Sequence, residues 1–393
     1  MANKMVSYSG KKLIAFKTIA IAIGLILGLL VIELVLFAIP PKHQMDNPWY
    51  NESGGGVSSS SDLLPFERPS NLMWEGLSRG DMAVLNDDDD PYAQYITFQT
   101  DSDGFRNSSE IPTADLIVIG DSFTEAGNIP EEDTYVSLLG KKLNLQTKNL
   151  GRSGYTTTSE LIVLHSYGIK CQPKTVVWQI AESNDLPEEI QIDEWIKAGK
   201  PPYFNFDTLG RMSHFESWKL RSPTIKLILL FRKPHVKDWP FSGDFVDKQG
   251  KKHTIRFLLA PEKNQIATGN PGWARMQQAI RYGQDVCQQN DIKLIILLMP
   301  MKFQVMNEYV TIDDHILNQI SALPKVTAQN GLAGNLDKLC NEIGIPFIDA
   351  TLALKNATAS KQLVYLPFDT HLSAEGHEII AQLISDFLAT DSK

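Results

Sequence analysis

Leu116-Ile117-Val118-Ile119-Gly120-Asp121-Ser122-Phe123-Thr124 is the stretch on which the reading of this chain turns. Four consecutive aliphatic residues predict a strand buried on both faces, and Gly120 closes it. Similar runs recur at Thr175-Val176-Val177-Trp178-Gln179-Ile180, at Lys293-Leu294-Ile295-Ile296-Leu297-Leu298 and, shorter, at Pro346-Phe347-Ile348. Helical spacing is read at residues 132–143, Ala274–Gln288 and Leu332–Asn341, and Glu375–Leu388 reads as a closing amphipathic helix. Strand–helix alternation with continuous apolar strands predicts an α/β fold with a parallel sheet covered on both faces. Residues 187–270 break the rhythm. They hold Pro201-Pro202, a hairpin around Asp247-Lys248-Gln249-Gly250 and an apolar patch from Ile225 to Phe231, and they are read as an insertion.

In an open parallel sheet, ligands bind outside the carboxyl ends of the strands. Ser122 is therefore expected at the mouth of the sheet, with the next helix aiming backbone N–H groups at any oxyanion formed there. Gly-Asp-Ser also makes ordinary turns, so this segment does not decide the matter alone. The second segment is Phe368-Asp369-Thr370-His371-Leu372-Ser373, ahead of the last helix. A serine nucleophile needs an imidazole to take its proton and a carboxylate to orient that imidazole. Asp369 and His371 are two apart and point the same way in an extended segment. Ser373 is the better N-cap for the helix, which leaves Asp369 and His371 without a capping job. Two further pieces lie between. Asn149-Leu150-Gly151-Arg152-Ser153-Gly154 reads as a Gly-rich loop that places a backbone N–H near the serine. Glu182-Ser183-Asn184-Asp185 follows the second strand and offers the Asn184 amide as another donor. Each of these alone reads more readily as a turn than as a site.

Together, and in this order, the four segments resemble the SGNH (GDSL) hydrolase superfamily, whose four named residues fall on Ser122, Gly154, Asn184 and His371. The resemblance runs over residues 100–390 apart from the insertion. It implies a flavodoxin-like three-layer α/β/α sheet, a Ser122–His371–Asp369 triad, and an oxyanion hole from the Ser122 and Gly154 N–H groups with the Asn184 amide. It implies no cofactor and no metal. Asp103-Gly104-Phe105-Arg106-Asn107 and Pro300-Met301-Lys302 also look like the membrane-anchored bacterial members, and Lys302 is a weaker candidate for substrate binding in a groove leading to Ser122. There are departures. Glu182 replaces the glycine of Gly-x-Asn-Asp, and Asp-x-His replaces Asp-x-x-His. Asp-Thr-His is the spacing of the alginate-type acetyltransferase branch, which often places it before the serine. The activity implied is a serine esterase acting on acyl, most plausibly acetyl, esters of cell-envelope glycans. One alternative is an O-acetyltransferase of an exported polysaccharide, supplied by an integral membrane acyl donor. The other is a non-catalytic envelope assembly protein.

The flanks add a location. Thr18 to Ile39 is a 22-residue run in which only Glu33 is charged. At 1.5 Å per residue it spans roughly 33 Å, enough for a bilayer core. Lys4, Lys11, Lys12 and Lys17 precede it with no acid among them, which puts residues 1–17 in the cytoplasm and the rest outside, periplasmic or extracellular. A cleaved signal peptide is the competing reading, with a shorter apolar core. Residues 40–62, with Gly54 to Gly56 and Ser58 to Ser61, read as a tether, and residues 63–393 as the catalytic domain. Asp87 to Asp90 read as a solvated loop. A net charge of −9 argues against capture of nucleic acid. Cys171, Cys287 and Cys340 are expected as buried thiols, or as one disulfide and one thiol. The remaining histidines form no ligand pair, and His377 is expected to be structural. Trp195, Tyr203, Phe204, Phe206, Trp218 and Trp239 are either a small core of the insertion or the lining of a glycan groove.

Overall fold

The computed structural model describes residues 10–38, 64–65, 67–86, 89–199, 222–225, 240–258, 266–322, 327 and 329–391. The expected tether at 40–62 lies outside the described residues. So does much of the expected insertion, including five of its six aromatics named above.

An antiparallel pair, β1 (Met73–Ser78) and β2 (Gln94–Gln99), precedes the main sheet. That sheet is built from β3 (Leu116–Gly120), β4 (Thr147–Gly151), β5 (Thr175–Ala181), β8 (Lys293–Met299) and β10 (Phe347–Asp349). Its spatial order is β10-β8-β5-β3-β4, and every pairing is parallel. The chain starts in β3, steps outward to β4, then returns past β3 to β5 and runs the other way. The strand order therefore reverses between β3 and β5, and a crevice opens there at the carboxyl edge.

The strands alternate cleanly between two cores. Ile117, Ile119, Val176, Trp178, Ile180, Leu294, Ile296 and Leu298 face one side. There they meet residues from helices Thr157–Val163, Pro271–Gln289 and Leu332–Ile343. Leu116, Val118, Val177, Ala181, Ile295, Leu297 and Met299 face the other, against helices Tyr135–Leu143, Thr351–Ala359 and Ala374–Asp391. This is the three-layer α/β/α arrangement. Trp178 is its largest fully buried side chain. Gly283 lies directly on the indole, where any Cβ would run into the ring. Truncating Trp178 to alanine should cost about 3–5 kcal/mol.

β4 corrects the sequence reading, which took Asn149–Gly151 as loop. Its residues Thr147-Lys148-Asn149-Leu150-Gly151 hold one aliphatic side chain, so no apolar run announced it. The polar residues are buried against specific partners instead. Lys148 sits 3.1 Å from Asp103 and 3.5 Å from Asp101. The Asn149 N–H donates to Asn107 at 3.0 Å.

The stretch read as an insertion begins inside helix Asp185–Lys197, which buries Leu186, Ile192 and Trp195. Its hairpin is present as β6 (Phe241–Val246) and β7 (Lys252–Phe257), with β9 (Thr311–Ile312) beside β6. Phe241, Phe245, Ile255 and Phe257 join the second core of the main body. At the N-terminus a helix runs from Gly10 to Ala38. Leu13–Ala38 is long and apolar enough to cross a membrane, a test that a signal sequence near the N-terminus also passes. The three cysteines are free and buried.

Candidate active site

Ser122 opens a four-residue helix, Ser122–Glu125, directly after β3. Asp121 caps it by accepting the Phe123 N–H at 3.0 Å. Ala126 ends it at φ 50°, its N–H returning to the Ser122 carbonyl at 2.8 Å. The turn is held from below. The Thr124 hydroxyl meets Tyr135 Oη at 2.6 Å and Gln179 Oε1 at 2.8 Å. These contacts fix the backbone and leave the Ser122 hydroxyl at the apex.

His371 arrives from the far end of the chain. Its Nε2 lies 2.7 Å from Ser122 Oγ, and its Nδ1 lies 2.6 Å from Asp369 Oδ1. The same carboxylate oxygen accepts the His371 N–H at 2.9 Å. Asp369 Oδ2 accepts from the Asn128 amide at 2.5 Å and the Asp81 N–H at 3.1 Å. With its Nδ1 proton directed at Asp369, His371 presents Nε2 to the serine proton. Burial pushes the Asp369 pKa up, but the His371 charge and the hydrogen bonds outweigh it and hold the carboxyl below its ordinary value. Burial likewise pulls His371 down, but Asp369, then Asp81 and Asp121, raise it to about 9.

The other two segments reach the same edge. Asn184 stands at the N-cap of helix Asp185–Lys197, just after β5. Its amide nitrogen is 3.0 Å from Glu188 Oε2 and 3.4 Å from Asp121 Oδ2. Gly154 follows β4, with φ 79°. The loop before it is pinned in two places: the Arg152 N–H donates to the Gly120 carbonyl at 3.0 Å, and the Ser153 N–H donates to Glu125 Oε2 at 3.0 Å. Glu182, just after β5, is turned toward the segment that follows β8. Its carboxylate accepts the Met301 N–H at 3.4 Å, and burial lifts its pKa to about 7. Asp349, at the end of β10, is exposed and accepts the Thr351 N–H at 2.8 Å.

Lys302 does not line a groove. It is 5% exposed, and its Nζ donates to the carbonyls of Leu366, Pro367 and Asp369 at 2.7, 2.9 and 2.9 Å. All three donors are spent on holding the loop that carries His371. Burial lowers its pKa to about 7 against the pull of Asp369, Asp81 and Asp90. His377 is structural as expected: buried, stacked on Tyr135, and accepting the Tyr135 N–H at 3.2 Å.

Sequence reasoning missed Asp81. It opens the short helix Asp81–Asn86 between β1 and β2. Its carboxylate accepts the Thr370 N–H at 3.0 Å and the Thr370 hydroxyl, and it comes within 4.0 Å of His371 Nδ1. Burial and Asp369 raise its pKa to about 6. Gly80 makes the approach possible, since a Cβ there would collide with the Phe368 carbonyl. Nothing local announced this, because Gly80-Asp81 reads as any turn. Asp81, Asp369 and His371 each bring one ligand atom within 4.8 Å of the others. A cation bound there would compete with the Asp369–His371 hydrogen bond.

A buried brace lies beneath. Glu125 accepts from Arg68 at 2.6 and 3.0 Å, and Arg152 lies 3.4 Å away. Arg106, within the Asp103–Asn107 segment, is fully buried and donates to the carbonyls of Glu125 and Ala126 and to that of Ile129 at 2.7 Å. It thereby shapes the turn that carries Asn128.

No family model matches the chain, and no curated protein matches it. Among solved structures it is similar to an acetyl xylan esterase at 14% identity, over 69% of this chain and 98% of that one, with a TM-score of 0.34. It is also similar to a catalytic mutant of an acetylxylan esterase from Geobacillus stearothermophilus, at 15% identity over 70% and 94%, with a TM-score of 0.34. A GDSL-like lipase from Bacteroides thetaiotaomicron follows at 13% identity, over 70% and 88%, with a TM-score of 0.32.

Proposed function

We propose that this chain is a serine esterase of SGNH type. The observation that carries the reading is the relay from Asp369 to His371 to Ser122, with links of 2.6 and 2.7 Å. Ser122 Oγ attacks an ester carbonyl while His371 Nε2 takes its proton. The oxyanion is held by the Ser122 and Gly154 N–H groups, joined by the Asn184 amide once it turns from Glu188 and Asp121. His371 then gives the proton to the leaving alkoxide, and an acyl-Ser122 remains. Water attacks with His371 again as base, the acyl–Ser122 bond breaks, His371 returns the proton to Ser122 Oγ, and the carboxylic acid leaves and loses its own proton to solvent. Asp81, Asn128 and Lys302 act as positioning residues for the loop and carboxylate of the relay.

The substrate class in this reading is an acyl ester, acetyl above all, on a cell-envelope glycan. Support for the envelope comes from the N-terminal helix, read as an anchor over residues 18–39 with the lysines on its cytoplasmic side. Residues 40–62 then serve as tether and residues 63–393 as the catalytic unit. The Asp369-Thr370-His371 spacing favours one second reading, acyl transfer to a sugar hydroxyl from the same acyl-serine.

The test is the purified full chain with p-nitrophenyl acetate, with and without an oligosaccharide acceptor. Ser122→Ala should lose turnover by about 10³-fold or more while keeping its folded spectrum. Retention of more than about a tenth of the rate would remove Ser122 as nucleophile and favour the non-catalytic reading. Acetylated oligosaccharide among the products would select transfer over hydrolysis.

A further inference from the structure

Asn184, the third oxyanion donor of the proposed esterase, has its side chain tied at both ends. An asparagine at a helix N-cap ordinarily turns its side-chain oxygen onto the N–H groups of the first turn. Asn184 stands at the N-cap of helix Asp185–Lys197 and makes no such bond. Its Oδ1 accepts the Ser183 hydroxyl at 2.7 Å instead. Its Nδ2 donates to Glu188 Oε2 at 3.0 Å, and Asp121 Oδ2 lies 3.4 Å from the same nitrogen. A side-chain amide has two protons to donate, and both acceptors here are carboxylates.

Glu188 is the stronger of the two holds. It is buried, and its other oxygen, Oε1, has no partner. Asp121 is already engaged by the Phe123 N–H at 3.0 Å, and 3.4 Å to Asn184 is long for an N–H···O bond. The Glu188 N–H donates to the Asn184 carbonyl at 3.0 Å, so the two residues are fixed one helical turn apart and the carboxylate folds back over that turn. A hydrogen bond from an amide to a carboxylate is roughly twice as strong as one to a neutral acceptor. Burial strengthens it further. An oxyanion forming at Ser122 is the competing acceptor, and it gains the amide only as Glu188 releases it.

We propose that Glu188 is a positioning residue that holds the Asn184 amide in reserve, so that the oxyanion hole stands on two backbone donors until charge developing at Ser122 draws the third across. The inference rests on the esterase reading and adds to it the group that sets how much Asn184 contributes to the transition state. The groups facing Glu188 are acids. Asp121 comes from the serine turn, Glu160 from helix Thr157–Val163, and Asp185 and Glu189 from its own helix. Arg275, from helix Pro271–Gln289 packed alongside, is paired with Asp193. Burial and the neighbouring Asp121 keep Glu188 protonated up to about pH 8. The hold is neutral and weaker below that pH, and charged and stronger above it.

The test is steady-state turnover of p-nitrophenyl acetate by the full chain and its Glu188→Ala, Glu188→Gln and Asn184→Ala variants, with Glu188→Ala also made in the Asn184→Ala background. Glu188→Ala removes the acceptor. At about pH 9.5 it should raise kcat at least about threefold and leave KM unchanged, because the freed amide meets the oxyanion and not the ground-state ester. Glu188→Gln, with a neutral acceptor, should fall between Glu188→Ala and the parent. The gain should shrink toward pH 7, where the parent Glu188 is itself neutral, and a purely structural part would show no such trend. In the Asn184→Ala background, Glu188→Ala should change nothing. Should Glu188→Ala fail to fold, Glu188→Gln with and without Asn184→Ala decides in its place. A kcat at or below the parent's in the Glu188 variants overturns the inference, and so does a gain that survives Asn184→Ala. Turnover lost in Ser122→Ala but unmoved by the Glu188 variants overturns the hold on Asn184 alone. Turnover that persists in Ser122→Ala overturns the esterase reading, and this inference with it.

Discussion

Glu125 closes the short helix that Ser122 begins, and Glu188 sits one turn into the helix that Asn184 begins. Both are buried, yet they titrate in opposite directions. Burial raises the Glu125 pKa, but Arg68 and Arg152 overcome it and bring the group to about 2. Burial raises Glu188 as well, the neighbouring Asp121 adds to it, and only the Asn184 amide opposes, so the group reaches about 8. Burial alone thus says little about the charge of an acid; the sign of its neighbours decides. One side of Ser122 is braced by a paired charge. The other is lined by acids: burial first, and then the charge of Asp121, also pushes Glu160 and Asp185 well above the ordinary range.

The most severe way to break this comparison is Glu125→Ala. It leaves Arg68 and Arg152 buried without their carboxylate, and urea denaturation should show a loss of about 3–5 kcal/mol. A loss below about 1 kcal/mol would mean the brace is not holding the serine turn. The acid limb sharpens the point. Glu125 has a folded pKa below its ordinary 4.5, so its contribution is full above 4.5 and is lost as pH falls through about 2.

The next effect is on activity. In the proposed esterase, a His371 pKa raised to about 9 would leave the imidazole protonated at neutral pH and unable to accept the serine proton. The rate kcat/KM should therefore climb with pH toward about 9. Asp81 is one of the charges that raise His371, so Asp81→Asn should move the rising limb to lower pH. An unmoved limb would leave Asp81 with a purely structural part in holding Thr370.

The smallest effect belongs to Glu188. Its folded pKa of about 8 exceeds the ordinary 4.5, so the unfolded chain gives up this proton first as pH rises. The stability it contributes is full below 4.5 and is lost as pH rises through about 8. Glu188→Gln keeps an acceptor for Asn184 and cannot ionise. Thermal melts of this variant should lose less between pH 5 and 8 than those of the parent protein. A slope identical to the parent would place the titrating group elsewhere in the cluster.

How far the residues could be read depended on whether the cause of each feature was local. β3, β5 and β8 were legible because strands buried on both faces are largely apolar. The β6–β7 hairpin was legible from its turn residues. β4 was not, since its buried Lys148 and Asn149 are satisfied by Asp101, Asp103 and Asn107, far along the chain. Lys302 was misread for a related reason. A lysine after a strand reads as a surface cation until the loop from Leu366 to Asp369 folds over it and takes its three protons.

By itself the sequence determined the parallel α/β sheet, the apolar N-terminal helix and the choice of Ser122, Asp369 and His371 as candidate site residues. Periodicity and residue type are written in the chain at short range. Only the tertiary structure decided that 249 positions close to a 2.7 Å contact between Ser122 and His371. Only it decided that Asp81 stands behind the imidazole, that Lys302 is a brace, and that Glu33 accepts the Ser222 hydroxyl at 2.8 Å. Those are pairings between side chains distant in sequence. They exist because a parallel sheet gathers the carboxyl ends of strands from the whole chain onto one edge, and no local pattern encodes which residues will meet there.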